Sequence, residues 1–157
     1  TELLVNFQVS HQQIRDVVNE LVIKYKNSGV NLVQVASGYR FETITALSDD
    51  LAIFVAKINK EKAPKYSRAL LETLALIAYK QPITRGEIED IRGVAVSSYI
   101  MKTLLDRNWV KVVGNKEVPG RPSLYATTKE FLDYFSLTSL TQLPELMPMP
   151  DLDVIEK

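Results

Sequence analysis

The sequence predicts a mainly α-helical protein with small β-hairpin wings, an α+β fold made of two winged-helix domains in tandem. The first observation is a helix-periodic apolar stripe followed by two short β-rich runs. The second is that this order recurs later in the chain, where three predicted helices precede the two runs. The third is a lysine-rich segment between the two units, which offers little to bury.

Residues 1–62 form the first predicted unit, an N-terminal winged helix. Its helix, from about Ser10 to Asn27, follows from apolar residues at helical spacing: Ile14, Val17, Val18, Leu21, Val22 and Tyr25. Residues 30–36 and 39–43 then predict two strands around a Ser37-Gly38 turn. Residues 1–7 resemble the end of an earlier helix, so we expect the first helix of this domain to lie upstream of Thr1.

Residues 63–136 form the second predicted unit, a complete winged helix. The linker is placed at residues 57–66, where Pro64 biases Ala63 away from helix. An apolar stripe over residues 70–78 predicts a helix that ends at Gln81-Pro82. Thr84 and Glu87 have the spacing of a capping box, which opens a short helix to about Arg92, and Gly93 ends it. Ser97 or Ser98 can cap a third helix.

The second wing is predicted from residues 109–113 and 123–127, with Trp109 in the core. Pro119-Gly120 supplies the two central residues of a type II turn, and Pro122 is expected to hold Arg121 extended. A short helix follows, carrying Phe131 and Phe135. Residues 137–157 are interpreted as an acidic, proline-containing tail that is extended or disordered beyond Leu143.

Composition limits the function classes. Nineteen basic and nineteen acidic residues leave no net charge, which argues against broad attraction to nucleic acid or anionic lipid. Residues 65–136 hold eleven basic and eight acidic residues, and residues 137–157 hold one and four. The chain has no cysteine and no apolar run near the ~20 residues of a bilayer span, so we expect a cytoplasmic protein without disulfides or membrane contact.

The sequence offers few residues in patterns suited to catalysis or metal binding. The single histidine, His11, stands at a helix start without a neighbouring nucleophile, and Glu87, Glu89 and Asp90 lack a complementary metal-ligand pattern. The loop from Gly114 to Pro122 lacks the spacing and the Lys-Ser/Thr of a phosphate-binding loop. We therefore expect no enzyme activity, no cofactor, no metal and no small-molecule substrate.

Two blocks of sequence resemble the segregation and condensation protein B (ScpB) family. The first block comprises LETLA at 71–75, IAYKQPITR at 77–85, EIE at 87–89 and IRG at 91–93. The second comprises VG at 113–114, KEVPGRP at 116–122, LY at 124–125, TT at 127–128 and EFL at 130–132. Together they span roughly residues 67–144, and SGYRF at 37–41 adds a weaker match in the first unit.

The resemblance implies a non-enzymatic subunit of a bacterial SMC–kleisin (condensin-like) complex. A member of this family is expected to form a homodimer through its N-terminal domain and to bind the kleisin ScpA, which links it to the SMC ATPase. The implied role is chromosome condensation and segregation during the cell cycle, at the nucleoid. The resemblance also implies that the first helix of the N-terminal domain is not part of this chain, so we expect any property that depends on that helix to be affected.

Six residues are candidates for contact with the partner. Arg85 opposes the dipole of the helix it opens, so it needs a carboxylate, either in this chain or in another protein. Glu117 and Arg121 either complete a rigid wing tip or present charges to a partner. The second unit also has more aromatics than one small domain buries, so some of them should line a groove. The candidates are Tyr66, Tyr79, Arg85, Glu117, Arg121 and Tyr125.

An alternative function is a tandem winged-helix DNA-binding transcriptional regulator, which the fold suggests without the resemblance. Its recognition helices should bring several Arg, Lys, Asn or Gln side chains to base edges. The third helix of the second unit offers only Lys102 and Arg107. The helix of the first unit offers Gln12, Gln13, Arg15, Lys24 and Lys26, interleaved with acids. We expect at most weak non-specific DNA contact.

Overall fold

The computed structural model describes residues 9–47, 51, 53 and 66–145. The first unit contains helix α1 (His11–Tyr25), strands β1 (Val30–Val35) and β2 (Gly38–Thr43), and a short 3-10 helix (Thr45–Leu47). Helix α1 begins where Ser10 and Gln13 form a reciprocal capping box. The predicted helix and hairpin of this unit are therefore confirmed.

The hairpin turn of the first unit differs from the prediction by one residue. Val35 pairs with Gly38 at the end of the antiparallel register, so the two connecting residues are Ala36 and Ser37 rather than Ser37 and Gly38. Gly38 instead opens β2 with a positive φ of 149°. The glycine was expected to supply the turn, but it lies one residue later, where the second strand begins.

The second unit has three helices followed by a wing. Helix α2 (Arg68–Lys80) begins at the cap Ser67, and α3 (Arg85–Arg92) begins at the Thr84 capping box and ends at Gly93, whose φ is 68°. Helix α4 (Ser98–Asp106) is capped by Ser97. Strands β4 (Val110–Asn115) and β5 (Ser123–Thr127) form the wing, and helix α5 (Lys129–Tyr134) follows.

One strand of the second unit was not predicted. Strand β3 (Ile83–Thr84) pairs antiparallel with β5, which gives a three-stranded sheet of order β3-β5-β4. Ile83 lies opposite Tyr125, and Thr84 opposite Leu124. The sheet therefore ties the start of α3 to the wing, and the mixed architecture with small antiparallel sheets confirms the predicted fold class.

The described core lies mainly in the second unit. Val35 is the only fully buried hydrophobic residue described in the first unit. Trp109 is buried in the second unit, as predicted. The remaining members of that core come from α2, β3, α3, the loop before α4, α4, β4 and α5: Leu70, Leu74, Ile77, Ala78, Ile83, Ile88, Val96, Ile100, Met101, Leu104, Val110 and Phe131.

Residues 137–145 lie against the second unit. Leu137 and Leu143 pack on its core, and a short 3-10 helix (Leu140–Gln142) stands between them. The predicted helix end at 1–7, most of the linker and the tail from residue 146 lie outside the described residues.

The two units contact each other through the first hairpin and the segment around α5. The backbone N–H of Ala36 donates to the carbonyl of Leu137 over 2.9 Å. Arg40 donates to Ser136 Oγ over 2.8 Å, and that hydroxyl donates to Glu42 Oε1 over 2.7 Å. The Ser136 hydrogen bond, with a further contribution from Arg40, holds the pKa of Glu42 below its ordinary value.

Candidate partner-binding surface

The wing is joined to the start of α3 by an ion pair. Lys116 Nζ lies 2.5 Å from Glu87 Oε1. The other carboxylate oxygen of Glu87 accepts the backbone N–H and the hydroxyl of Thr84, each over 2.8 Å. Glu87 therefore completes the cap of α3 and anchors the base of the wing with the same side chain.

This arrangement favours the charged form of Glu87. The hydrogen bond from Lys116 is the largest cause, followed by the bonds from the backbone and the hydroxyl of Thr84, and together they lower the pKa of Glu87 to about 2. The carboxylate stays ionised at every physiological pH. The charge that Glu87 brings to this link therefore does not change near neutral pH.

A shallow groove lies beside this link, between the end of α2 and the start of α3. Its volume is about 350 Å³. Ile83 on its floor belongs to β3 and lies opposite Tyr125 of β5, so Tyr125 is in the neighbouring strand. The residues that line this helix–wing groove are Lys80, Pro82, Ile83, Glu87, Asp90 and Ile91.

Arg85 finds its carboxylate within the chain. Its Nε donates to Glu89 Oε1 over 2.9 Å, and the same oxygen accepts the backbone N–H of Val96 over 2.8 Å. The bond from Val96 comes first and that from Arg85 second in holding the pKa of Glu89 below its usual value. Arg85 thus has a carboxylate partner in its own chain and helps to fix the loop before α4, and its contact with another protein stays a prediction.

Glu117 and Arg121 pair with each other at the tip of the wing. Arg121 Nη2 lies 2.9 Å from Glu117 Oε1, and the two side chains are 72% and 81% exposed. An ion pair this exposed contributes little to stability, about 0 to 1 kcal/mol. Both charges are thus exposed to solvent at the tip of the wing.

The turn that carries this pair is of type II, as predicted. The N–H of Arg121 donates to the carbonyl of Val118 over 2.9 Å, and Gly120 has the positive φ of 83° that the third position requires. The prediction that Arg121 is extended is wrong, because its φ is +37°. Asn115 Nδ2 donates to the Arg121 carbonyl over 2.8 Å, so the hydrogen bonds of the wing set this conformation.

Tyr66 belongs to an aromatic cluster with Trp109, Tyr134 and Phe135. Its ring centroid lies 5.2 Å from that of Trp109 and 6.4 Å from that of Tyr134. The Arg107 guanidinium lies over Tyr66 at 4.8 Å and over Trp109 at 5.4 Å. The described contacts connect Tyr66 to this cluster and not to the helix–wing groove.

Tyr79 is on α2 and lines two surface depressions. Its hydroxyl donates to the carbonyl of Pro144 over 2.6 Å, which anchors the segment 137–145 to the helix. It lines an almost wholly apolar groove of about 300 Å³, together with Phe135. It also lines a cleft of about 380 Å³ between α2 and α3, which we call the α2–α3 cleft and which consists of Glu72, Ala75, Leu76, Tyr79, Lys80, Ile91, Arg92 and Val94.

The six candidates chosen from the sequence do not include two features of the second unit. Lys116 belongs to the second block but is not among the six candidates, because its partner Glu87 lies twenty-nine residues earlier. Ile91 and Val94 are more than half exposed. Ile91 is on α3, three residues after the buried Ile88, and Val94 follows the Gly93 that ends the helix, so two large apolar residues beside a short polar helix were a usable signal for an exposed apolar surface.

Comparison with known proteins identifies the family. The family model described as segregation and condensation complex subunit ScpB matches residues 1–146. The chain belongs to the ScpB family. The resemblance drawn from the two sequence blocks is therefore confirmed, and so is the assignment to chromosome segregation and condensation.

Curated relatives in the ScpB family agree over most of the chain. The segregation and condensation protein B homolog of Coxiella burnetii is 52% identical over 94% of this chain and 69% of its own length. The segregation and condensation protein B of Syntrophotalea carbinolica is 41% identical over 89% of this chain and 70% of its own length. Among solved structures, ScpB from Mycobacterium tuberculosis is similar with 28% identity and a TM-score of 0.45, covering 87% of this chain and 84% of its own.

Within the ranges 9–47 and 66–145 and at positions 51 and 53, no group of three or more His, Asp or Glu residues could hold a metal ion. No helix in that part of the chain is long and apolar enough to cross a membrane.

Proposed function

We propose that this protein is a non-catalytic scaffold that binds the kleisin ScpA through its second winged helix and forms a homodimer through its first. Binding to the kleisin connects it to the SMC ATPase and places it at the nucleoid in the cytoplasm. The proposal extends the family assignment, which establishes a segregation and condensation subunit.

The observation that carries the kleisin proposal is the helix–wing groove. It has an apolar part, with Ile83 and Ile91, between charged groups of both signs such as Lys80 and Asp90. The Lys116–Glu87 pair fixes the wing beside it. A peptide segment needs both features, because apolar contact supplies affinity and charges set the register.

The six predicted contact residues are not all near the helix–wing groove. Arg85, Glu117, Arg121 and Tyr125 belong to the start of α3, the wing and its sheet, and Tyr79 is on the end of α2. Tyr66 is engaged with Trp109 in the aromatic cluster. We therefore propose the wing-tip pair of Glu117 and Arg121 as the polar contact and Tyr79 as the aromatic one.

The homodimer proposal rests on the apolar surface of the first unit. Helix α1 has no fully buried residue, and Ile23 is 73% exposed. Val17 on the same helix and Phe41 on β2 are also exposed. Several exposed large apolar side chains on one small unit are typical of a protein interface.

The DNA-binding alternative is less favoured by the contacts of its candidate side chains. Arg107 lies over the rings of Tyr66 and Trp109. In the first unit, Gln12 donates to Asp16, and Gln13 is used by the capping box of α1. These three of the seven side chains that could read base edges therefore already have partners within the described chain.

Titration calorimetry with purified ScpA tests the kleisin proposal. Arg121→Ala should weaken binding by roughly 1 to 3 kcal/mol if its ion pair is desolvated in the complex. Arg68→Ala is the matched control, because Arg68 also forms an exposed i,i+4 pair, with Glu72, but belongs to the start of α2 and not to the wing. Normal ScpA binding by Arg121→Ala, with unchanged thermal melts, contradicts this placement of the site.

A further inference from the structure

Four hydrogen bonds join the first hairpin to residues 133–137, at the end of α5. Two of them come from the backbone of the hairpin turn, at Ala36 and Ser37, and two involve the hydroxyl of Ser136. Within the described part of the chain, no other hydrogen bond joins the two units. The contact between the units is thus confined to two short segments.

This contact lacks a shared apolar core. Of the described residues, none from the first unit belongs to the core of the second unit or packs against that core. The side chains of Arg40 and Glu42 in the contact are 39% and 30% exposed. Exposed hydrogen bonds are replaced by bonds to water at a small net cost. A polar contact of this kind allows two domains to move relative to each other.

Ser136 has a backbone conformation that its side chain disfavours. Its φ is 57°, in the left-handed region. The N–H of Ser136 donates to the carbonyl of Asp133 over 3.2 Å, and the N–H of Leu137 donates to the carbonyl of Leu132 over 2.8 Å. These two bonds form a Schellman motif at the end of α5, in which glycine is the usual residue at this position. The helix end itself therefore gives no reason for a serine here.

The hydroxyl of Ser136 supplies a reason. It accepts a hydrogen bond from Arg40 Nη2 over 2.8 Å and donates one to Glu42 Oε1 over 2.7 Å. Arg40 and Glu42 also form an ion pair with each other. Glycine would relieve the backbone but would lose both bonds to the first unit. A strained residue that makes specific contacts indicates a functional constraint.

The same helix also holds the first described residue of the second unit. The ring centroid of Tyr66 lies 6.4 Å from that of Tyr134 and 5.2 Å from that of Trp109. Separation of the hairpin from residues 133–137 leaves this aromatic packing in place. The first unit can therefore move away without unfolding the second.

We propose that the first hairpin and residues 133–137 form a reversible latch, which holds the two units in one relative orientation when it is closed and lets them reorient when it is open. Ser136 is the positioning residue of this latch, because its hydroxyl connects Arg40 with Glu42. The inference rests on contacts within one chain, so it is independent of the kleisin and homodimer proposals.

Distance measurement between two nitroxide labels in the full chain, by pulsed electron resonance, tests the latch. The sequence has no cysteine, so Glu20→Cys on α1 and Lys102→Cys on α4 provide two specific labelling sites. An excess of unlabelled chain removes distances between molecules. We expect one main narrow distance in the labelled chain and a broader distribution after Ser136→Gly. Identical distributions overturn the proposal, and so does a distribution that is already as broad before the substitution.

A matched serine and a second measurement separate the latch from a local effect. Ser139→Ala removes a hydroxyl that bonds to Thr141 within its own segment, so it should leave the distances unchanged. In Ser136→Gly, the amides of Ala36 and Ser37 should exchange about tenfold faster, because the closed latch has lost two hydrogen bonds. Neither amide donates to Ser136 itself, so a local change would not affect them. Unchanged exchange at both amides, or equal broadening by Ser139→Ala, overturns the proposal.

Discussion

The backbone N–H of Ser37 donates a 2.8 Å hydrogen bond to Oδ1 of Asp133, which lies ninety-six residues further along the chain. Ser37 is in the turn of the first hairpin, and Asp133 is on α5. This bond joins the two winged-helix units, together with the bond between Ala36 and Leu137.

The contact predicts a local change in amide exchange. Asp133→Ala removes the acceptor, so the Ser37 amide should exchange faster, whereas Asp133→Asn keeps an acceptor oxygen and should preserve much of the protection. Hydrogen exchange followed by NMR measures both variants. Equal Ser37 exchange rates in the wild type and Asp133→Ala would show that the units do not hold this contact in solution.

The ion pair between Glu87 and Lys116 predicts a pH dependence of stability. The folded-state pKa of Glu87 is lowered from 4.5 to about 2, so its contribution is fully present above pH 4.5 and is lost as the pH falls toward 2. Glu87→Gln keeps a side chain suited to the capping box but removes the charge. Urea unfolding should find this variant less stable than the wild type near neutral pH.

The same comparison at low pH provides the check. The difference in unfolding free energy between the wild type and Glu87→Gln should narrow between pH 4.5 and 2, since the wild-type carboxylate becomes protonated there. A difference that is independent of pH over this window would mean that the charge of Glu87 does not stabilise the fold.

The start of α4 predicts unequal roles for two adjacent serines. Ser97 Oγ accepts the N–H of Ile100 over 3.3 Å, whereas Ser98 is the first residue of the helix. Ser97→Ala should therefore lower the unfolding free energy by about 1 kcal/mol, and Ser98→Ala should leave it nearly unchanged. Chemical denaturation measures the unfolding free energy of both variants. Equal losses of stability would show that Ser97 is not the specific cap of α4.

These examples show what the sequence could specify. The caps at Ser10, Thr84 and Ser97 and the glycine at the end of α3 depend on residues a few positions apart, so local patterns predicted these helices well. The spacing of Arg85 and Glu89 could also have predicted their pair, because residues four apart share a helix face.

The missed features depend on residues distant in the chain. Strand β3 has only two residues and exists because β5 pairs with it some forty positions later. Lys116 contacts Glu87 because the wing folds back toward α3. Tyr66 contacts Trp109 although α2, α3 and α4 lie between them in the chain. Sequence periodicity has no signal for such pairings, which is why the six candidate residues did not all fall on one surface.

The exposed apolar face of the first unit predicts an effect on self-association. Ile23→Lys places a charge on the proposed dimer surface and should shift the protein toward monomer. Tyr99→Lys is the control, because its side chain is equally exposed but belongs to the second unit. Sedimentation velocity at tens of micromolar compares them, and an unchanged dimer in Ile23→Lys would place the dimer surface elsewhere.

Hydrogen exchange of the full chain with and without ScpA tests the central claim most directly, because it locates the kleisin contact without any substitution. We predict that ScpA slows exchange at the end of α2, the start of α3 and the wing, in residues 79–92 and 114–125, while residues 11–25 change less. Protection confined to the first unit, or no change in the second unit at saturating ScpA, would contradict kleisin binding by the second winged helix.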